Sequence, residues 1–275
     1  MSWNPSFSRR LAAILSIVFI VGAALAVTIP APDDVRVTTH KISWPHAGKA
    51  RVVQLTDLHV GKGTPRVVLE RAIEETVKAG PDLVVLTGDY INRTLKYLPD
   101  FIAIIERLPR PCVVVFGNHD HWSGTAELTK QLEKAGAIVL QNENVTLKLK
   151  SMRLVVVGVD DGATKHDDAK AAFIGVEDPK QALVLTHHPK TADKIAKIGG
   201  RLILSGHLHG GQFDIPKVTD AIAKLSGKPY LAGFYSVGGS LLYVNAGLGS
   251  AVVRARAGPR AMPEVAVFDL EGNSN

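Results

Sequence analysis

Five times along this chain a short, unbroken apolar run stops abruptly at a cluster of polar residues, and that recurrence narrows the fold more than any other feature. The first three runs are Val52-Val53-Gln54-Leu55-Thr56 ending at Asp57-Leu58-His59, Leu83-Val84-Val85-Leu86-Thr87 at Gly88-Asp89, and Val113-Val114-Val115-Phe116 at Gly117-Asn118-His119-Asp120. The other two are Leu183-Val184-Leu185-Thr186 ending at His187-His188, and Leu202-Ile203-Leu204-Ser205 at Gly206-His207-Leu208-His209-Gly210-Gly211. Runs rich in β-branched residues, without polar alternation, read as strands covered on both faces. Between them, residues 65–79, 98–108 and 126–135 carry apolar side chains at helical spacing; Val67, Val68, Ala72, Ile73 and Val77 do so in the first. Strand and helix in alternation predict an α/β core. Ligands in such a core bind where the carboxyl ends of the strands open into loops, so the five clusters are expected to converge. Further strand-like segments at 145–149, 154–159, 241–245 and 265–270 predict a second sheet stacked on the first.

The clusters supply seven candidate metal ligands: Asp57, His59, Asp89, Asn118, His187, His207 and His209. Asp57 and His59 stand two apart, as do His207 and His209, so extended backbone would point each pair to one side. An all-nitrogen and oxygen set suits Mn²⁺, Fe or Zn²⁺. Two cations about 3.5–4 Å apart need a shared anionic ligand, and Asp89, closing a central strand, is the candidate bridge. Such a pair lowers the pKa of a bridging water and makes hydroxide available near neutral pH. His119 is expected to hydrogen-bond phosphate or protonate the leaving oxygen, with Asp120 holding its imidazole. Singly, each residue has an ordinary explanation: Gly88-Asp89 a turn, His187 a core histidine, Asn118 a helix cap. Jointly they do not, because five of the ten histidines fall in these clusters at their functional positions. His121 and His188 read as supporting neighbours, while His40, His46 and His166 have no evident role.

A length of 275 residues, 46% of them hydrophobic, suits one large domain. Cys112 is the one cysteine, which excludes a disulfide framework and a thiolate metal site; inside its apolar run it reads as a small hydrophobe. The net charge is +6, but the basic residues are scattered with no long basic run and few interleaved aromatics, which argues against nucleic acid and suits an anionic membrane surface. Residues 11–32 carry no charge, roughly the ~20 residues that a membrane-crossing helix needs. Residues 1–32 are therefore expected to form an anchor and 33–275 the catalytic domain. Ala24-Leu25-Ala26 would suit signal cleavage, but the stretch exceeds the usual ~7–15-residue signal core. Arg9-Arg10 would stay in the cytoplasm, leaving the domain outside; attachment to the cytoplasmic face is the alternative.

Asp57-Leu58-His59, Gly88-Asp89, Gly117-Asn118-His119-Asp120, His187 and Gly206-His207-Leu208-His209 together resemble the signature of calcineurin-like metallophosphoesterases, in order and approximate spacing from about residue 50 to 211. The resemblance implies a four-layer α-β-β-α sandwich. It also implies one metal on Asp57, His59, Asp89 and His209, and another on Asp89, Asn118, His187 and His207. Gly206-His207-Leu208-His209-Gly210-Gly211-Gln212, Gly158-Val159-Asp160-Asp161, Asn118-His119-Asp120-His121-Trp122 and Asn245-Ala246-Gly247-Leu248-Gly249 with Pro263-Glu264 look like one bacterial membrane-associated branch. Its members resemble broad phosphodiesterases or hydrolases of UDP-2,3-diacylglucosamine in lipid A synthesis. That branch places a single arginine shortly before Pro-Glu, whereas here Arg254, Arg256 and Arg260 all lie nearby.

The expected function is hydrolysis of a phosphodiester or pyrophosphate by a metal-bridging hydroxide, with two divalent ions, Mn²⁺ foremost. The expected substrate is phosphorylated or lipid-linked, such as UDP-2,3-diacylglucosamine, and membrane lipids meet the N-terminal segment; no protein partner is implied. A broad phosphodiesterase or nucleotide phosphohydrolase is the alternative within the class. A non-catalytic, membrane-tethered metal-binding protein is disfavoured, because the ligands and His119 are intact. Residues 213–235 intersperse Ile215, Ile222, Leu225, Tyr230, Leu231, Phe234 and Tyr235 with Lys217, Lys224 and Lys228; they would dip into a headgroup layer or pack beneath a long loop.

Overall fold

Successive residues of the central strands face two different apolar layers, which is why these runs are apolar throughout. In the strand at Leu83–Thr87, Leu83 and Val85 enter one buried cluster while Val84 and Leu86 enter another. Side chains alternate across a strand with a period of two, so a sheet covered on both faces needs hydrophobes at both phases. The computed structural model describes residues 34–272 apart from 46–47, 216 and 251–255. The expected anchor at 1–32, His46 and Arg254 lie outside the described residues. Among the described residues no helix is long and apolar enough to cross a membrane.

The order is β1 (Arg36–Trp44), β2 (Lys49–Leu55), α1 (Arg66–Ala79), β3 (Leu83–Thr87), α2 (Leu98–Arg107), β4 (Cys112–Val115), α3 (Asn118–Ser123), α4 (Thr125–Lys134) and β5 (Ile138–Val139). Then come β6 (Glu143–Leu149), β7 (Met152–Gly158), α5 (Ala169–Ala172), β8 (Leu183–Leu185), α6 (Ala192–Ile195), β9 (Leu202–Ser205), α7 (Val218–Leu225), β10 (Gly233–Val237), β11 (Ser240–Val244) and β12 (Glu264–Gly272). The three helices expected from periodicity form within a residue of their expected bounds. Cys112 is fully buried, and burial pushes its thiol up to about 12, as suits an inert hydrophobe.

Two six-stranded sheets result, ordered β1-β12-β2-β3-β4-β5 and β10-β11-β9-β8-β7-β6. Strands β2 to β5 run parallel in the first, and β7, β8, β9 and β11 run parallel in the second. Val52, Val85, Val113, Leu154, Leu183, Leu202 and Phe268 fill the layer between the sheets. Helices α1, α2 and α4 cover the outer face of the first sheet, and α5 and α6 that of the second. The expected four-layer α-β-β-α sandwich forms.

One expectation is corrected. The five runs that end in polar clusters do not share a sheet: β2, β3 and β4 lie in the first, β8 and β9 in the second. The segment at 265–270, expected in the added sheet, is β12 and pairs antiparallel with β2 in the first. Strands buried on both faces look alike in either sheet, so apolarity carries no information about partition. The clusters still meet, because both sheets turn the carboxyl ends of their parallel strands to the same end of the molecule. Gln54 ties that end together, its Nε2 donating to Thr87 Oγ1 at 2.9 Å and to the Ser205 carbonyl at 2.9 Å across the sheets.

Candidate metal centre

Where the strands end, the backbone turns left-handed. Of ten described non-glycine residues with positive φ, five are expected ligands: Asp57 (52°), His59 (43°), Asp89 (57°), His207 (76°) and His209 (49°). Such backbone costs on the order of 1–3 kcal/mol per residue and gathers where geometry is imposed by function. This corrects the reading of each two-apart pair as extended. The pairs do converge, but through left-handed turns held by backbone bonds: Asp57 N–H to the Gly88 carbonyl at 2.9 Å and His59 N–H to that of Asp89 at 3.0 Å. Two glycines allow the carboxylates in. A Cβ on Gly117 would lie 2.3 Å from Asp89 Oδ1, and one on Gly206 would lie 2.4 Å from Asp57 Oδ2.

Six of the seven candidates form two groups able to hold a metal: Asp57, His59 and His209, and Asp89, His187 and His207. Within each, the donor atoms lie within 4.8 Å of one another. Asp57 Oδ1 is 3.5 Å from His209 Nε2 and 3.9 Å from His59 Nε2. Asp89 Oδ2 faces both groups, 3.7 Å from His59 Nε2 and 3.2 Å from His187 Nε2. Asn118, the seventh, opens α3 beside them; His119 N–H donates to Asp89 Oδ1 at 2.9 Å.

The imidazoles are aimed by partners on their far sides. His59 Nδ1 donates to Asn92 Oδ1 at 2.6 Å and His187 Nδ1 to the Thr87 carbonyl at 2.7 Å, so each turns its Nε2 toward the pocket. This is how metal-bound histidines are usually oriented. Asp57 Oδ1, His59 Nε2 and Asn118 Oδ1 are buried without a hydrogen-bond partner. Buried polar atoms without partners are costly unless a cation satisfies them, and Asp57 Oδ1 and His59 Nε2 lie 3.9 Å apart. The residues therefore fit a pair of divalent ions.

Charge points the same way. Among the described residues, seven buried carboxylates (Asp57, Asp89, Asp120, Asp160, Asp161, Asp214 and Glu264) share the interior with one buried guanidinium, Arg256. Buried anions need positive charge nearby, and no lysine or arginine forms an ion pair with Asp57 or Asp89 among the described residues. Burial pushes the Asp57 carboxyl up to about 6; Asp89 adds to that and His187 opposes it. Burial acts likewise on Asp89, but His187, His59 and His119 overcome it and hold that carboxyl well below its ordinary value. The pocket thus sets one shared, strongly anionic carboxylate between two sets of imidazoles.

Asp120 takes a different part from the one expected. Its Oδ2 accepts from the Gly117 N–H at 2.9 Å and the Asp89 N–H at 2.7 Å, and its Oδ1 from the Tyr90 N–H at 2.9 Å. Both oxygens are thus committed to backbone, and no bond reaches the His119 ring, whose Nδ1 has no partner. The reason is local: as third residue of α3, Asp120 folds back over the helix start, as an N3 acid does. It clamps the loop that carries Asp89. What packs against His119 is Trp122, ring centroids 4.8 Å apart, and the Arg93 guanidinium lies 4.2 Å above the indole.

Arg260 is held by Asp214 and Asp220, and Arg256 donates to the carbonyls of Ala246, Gly247 and Gly249. Both therefore brace loops. His121 Nε2 meets Asp160 Oδ1 at 2.8 Å and stacks on His166 at 4.0 Å; His188 packs edge-on against His207; His40 sits among Phe234, Tyr243 and Phe268. Sequence reasoning missed Asn92, Arg93 and a role for Trp122. The available signal was position: Asn92 and Arg93 follow the Gly88-Asp89 turn immediately.

Residues 50–211 match the calcineurin-like phosphoesterase family, and the chain belongs to that family. Its relatives include the metallophosphoesterase YkuE of Bacillus subtilis, 30% identical over 88% of this chain and 88% of that protein. The phosphodiesterase YaeI of Escherichia coli is 30% identical over 82% of this chain and 83% of its own. The UDP-2,3-diacylglucosamine pyrophosphatase LpxG of Chlamydia trachomatis is 28% identical over 67% and 72% respectively. The chain is thus a hydrolase of phosphoric esters or anhydrides.

Proposed function

We propose that this protein hydrolyses a phosphodiester or pyrophosphate bond in a lipid-linked substrate, with two divalent cations, manganese foremost. The observation that carries the reading is Asp89, whose one carboxylate oxygen faces both groups of donors. Cations held there would polarise a phosphoryl oxygen and acidify a water near neutral pH. The protein's own part is positioning. Asp57, His59, Asp89 and His209 would hold one ion, and Asp89, Asn118, His187 and His207 the other. Asn92 and the Thr87 carbonyl fix two imidazoles, and Asp120 fixes the loop of Asp89. His119 protonates the leaving oxygen. Trp122, half exposed beneath Arg93, offers an aromatic face and a positive charge to a nucleotide leaving group.

The lipid-linked substrate rests on the likeness to LpxG and on the uncharged stretch at 11–32. That stretch would anchor the chain in a bacterial inner membrane, with residues 33–275 on the outer side. The likeness to YaeI supports a broader phosphodiesterase as the second reading. The full chain in detergent, loaded with Mn²⁺, should cleave bis(p-nitrophenyl) phosphate faster than the monoester and should release UMP from UDP-2,3-diacylglucosamine. Diester cleavage without UMP release selects the second reading; no turnover of either ends both. An alkaline phosphatase fused after Asn275 should be active, and a silent fusion would overturn the outward orientation.

A further inference from the structure

Of twelve large hydrophobic residues exposed among the described residues, six fall between 213 and 234: Phe213, Ile215, Val218, Ile222, Leu225 and Phe234. Helix α7 sits among them almost bare, with only Ala223 buried. Val218, Ile222 and Leu225 recur at i, i+4 and i+7 and so share one helical face, and Leu225 is 89% exposed. An amphipathic helix normally turns that face to the core. Clustered exposure of this kind marks an interaction surface.

Charge selects the partner. The segment's only acids are Asp214 and Asp220, and Arg260 engages both. Lys217, Lys224 and Lys228 are exposed beside the apolar face and form no ion pair among the described residues. Apolar side chains ringed by lysines fit the interface of a bilayer containing anionic lipids.

Topology places this face at the pocket's rim. A Cβ on Gly211, two residues past His209, would lie 2.8 Å from Thr219 Cγ2 of α7. The described chain also begins at this end. Strand β12 runs antiparallel to β2 and β1 runs parallel to β12, so β1 starts where β2 delivers Asp57. There Arg36 donates to the carbonyls of Pro259, at 2.9 Å, and Pro263, at 2.8 Å, next to the Arg260 that holds α7. The described chain therefore enters the fold on the same side as the exposed face.

We propose that the segment 213–234, with α7 at its centre, docks on an anionic bilayer surface and sets the mouth of the metal pocket at the depth of the lipid headgroups. This deepens the lipid-linked reading of the substrate and rests on it only for the purpose of docking, not for its geometry.

The test uses the full chain in vesicles of phosphatidylcholine with phosphatidylglycerol, spin-labelled in turn at Leu225→Cys, Ile222→Cys and Val77→Cys. Cys112 is buried and does not compete for label. Val77 is the control: it is 51% exposed, and α1 runs back from the pocket, placing it at the opposite end. Labels at 222 and 225 should be shielded from a water-soluble nickel chelate and open to oxygen, while the label at 77 stays open to nickel. Each lysine contributes roughly fivefold to surface binding, so changing Lys217, Lys224 and Lys228 all to Glu should weaken docking by about 10²-fold and raise nickel access at 225 to the level at 77. With the lysines in place, nickel access at 225 equal to that at 77 would overturn the proposal. So would shielding that persists in neutral detergent with spin–spin broadening, the sign of a second copy on this face. Turnover of bis(p-nitrophenyl) phosphate in the same vesicles separates the two readings: a docked but inactive protein supports docking and counts against the hydrolase mechanism.

Discussion

The two sheets contribute unlike halves to one pocket. The first brings both carboxylates, Asp57 and Asp89, with His59 and Asn118; the second brings three imidazoles, His187, His207 and His209. The first half is also the more firmly built. Its loops are tied to each other at Asp57 and His59, and Asp120 holds three further N–H groups around Asp89. The second half is positioned largely by the first: His187 bonds the Thr87 carbonyl, and the His207 N–H donates to Asp57 Oδ2 at 3.0 Å. The anionic half thus attracts cations and fixes the frame, and the imidazole half completes coordination. Neither metal group belongs to one sheet, so ion binding and the docking of the two sheets are coupled.

That asymmetry is most exposed at Asp89. Asp89→Asn should abolish turnover, by about 10⁴-fold or more, the scale for removing one member of a catalytic unit, and should leave little metal by elemental analysis. His207→Asn should retain one ion per chain and lose less activity. Equal metal loss in the two variants would break the comparison. A smaller effect separates chemistry from coordination. His119→Asn should lower kcat by about 10²–10⁴-fold, as loss of a general acid does, with two ions still bound. Loss of metal in that variant would make His119 a structural element of the first half.

The halves also differ in how their histidines are aimed, by a side chain for His59 and by backbone for His187. Asn92→Ala should therefore weaken metal binding by about 10–100-fold, the usual effect of losing an orienting partner, and should do so at one site of the two. A calorimetric titration with Mn²⁺ that weakens both sites equally would show that Asn92 acts on the whole loop.

The convergence of Asp57, His59, Asp89, His187, His207 and His209 was legible in the sequence because apolar runs that end in polar clusters must deliver them to strand ends. The division of strands between sheets was not, since Val84 and Val85 face different layers yet both are apolar. Local backbone was misread for a related reason. A spacing of two at Asp57 and His59 suits extended chain equally well, and only the bonds to Gly88 and Asp89 select the left-handed turn. Asp120 was misassigned because adjacency to His119 says nothing about backbone N–H groups donated by Asp89 and Tyr90 from another loop.

Outside the pocket, the halves are joined by a tie whose strength depends on pH. His121 of α3 bonds Asp160, which follows β7, at 2.8 Å. Burial works to lower the pKa of His121, but the hydrogen bond and charge of Asp160, with Asp161 and Asp120 adding, outweigh it and raise it. A histidine whose pKa is raised by folding contributes stability that is fully present below its unfolded value, about 6.5, and is lost as pH rises through the folded one. His121→Leu should therefore cost about 1.5–3 kcal/mol at pH 6, the worth of a hydrogen bond to a charged group, and the gap from the parent should narrow by pH 9. Loss of metal at low pH acts on both proteins alike, so the difference between them in urea denaturation isolates the tie. A gap that stays constant from pH 6 to 9 would mean that His121 joins the halves as a neutral packing residue.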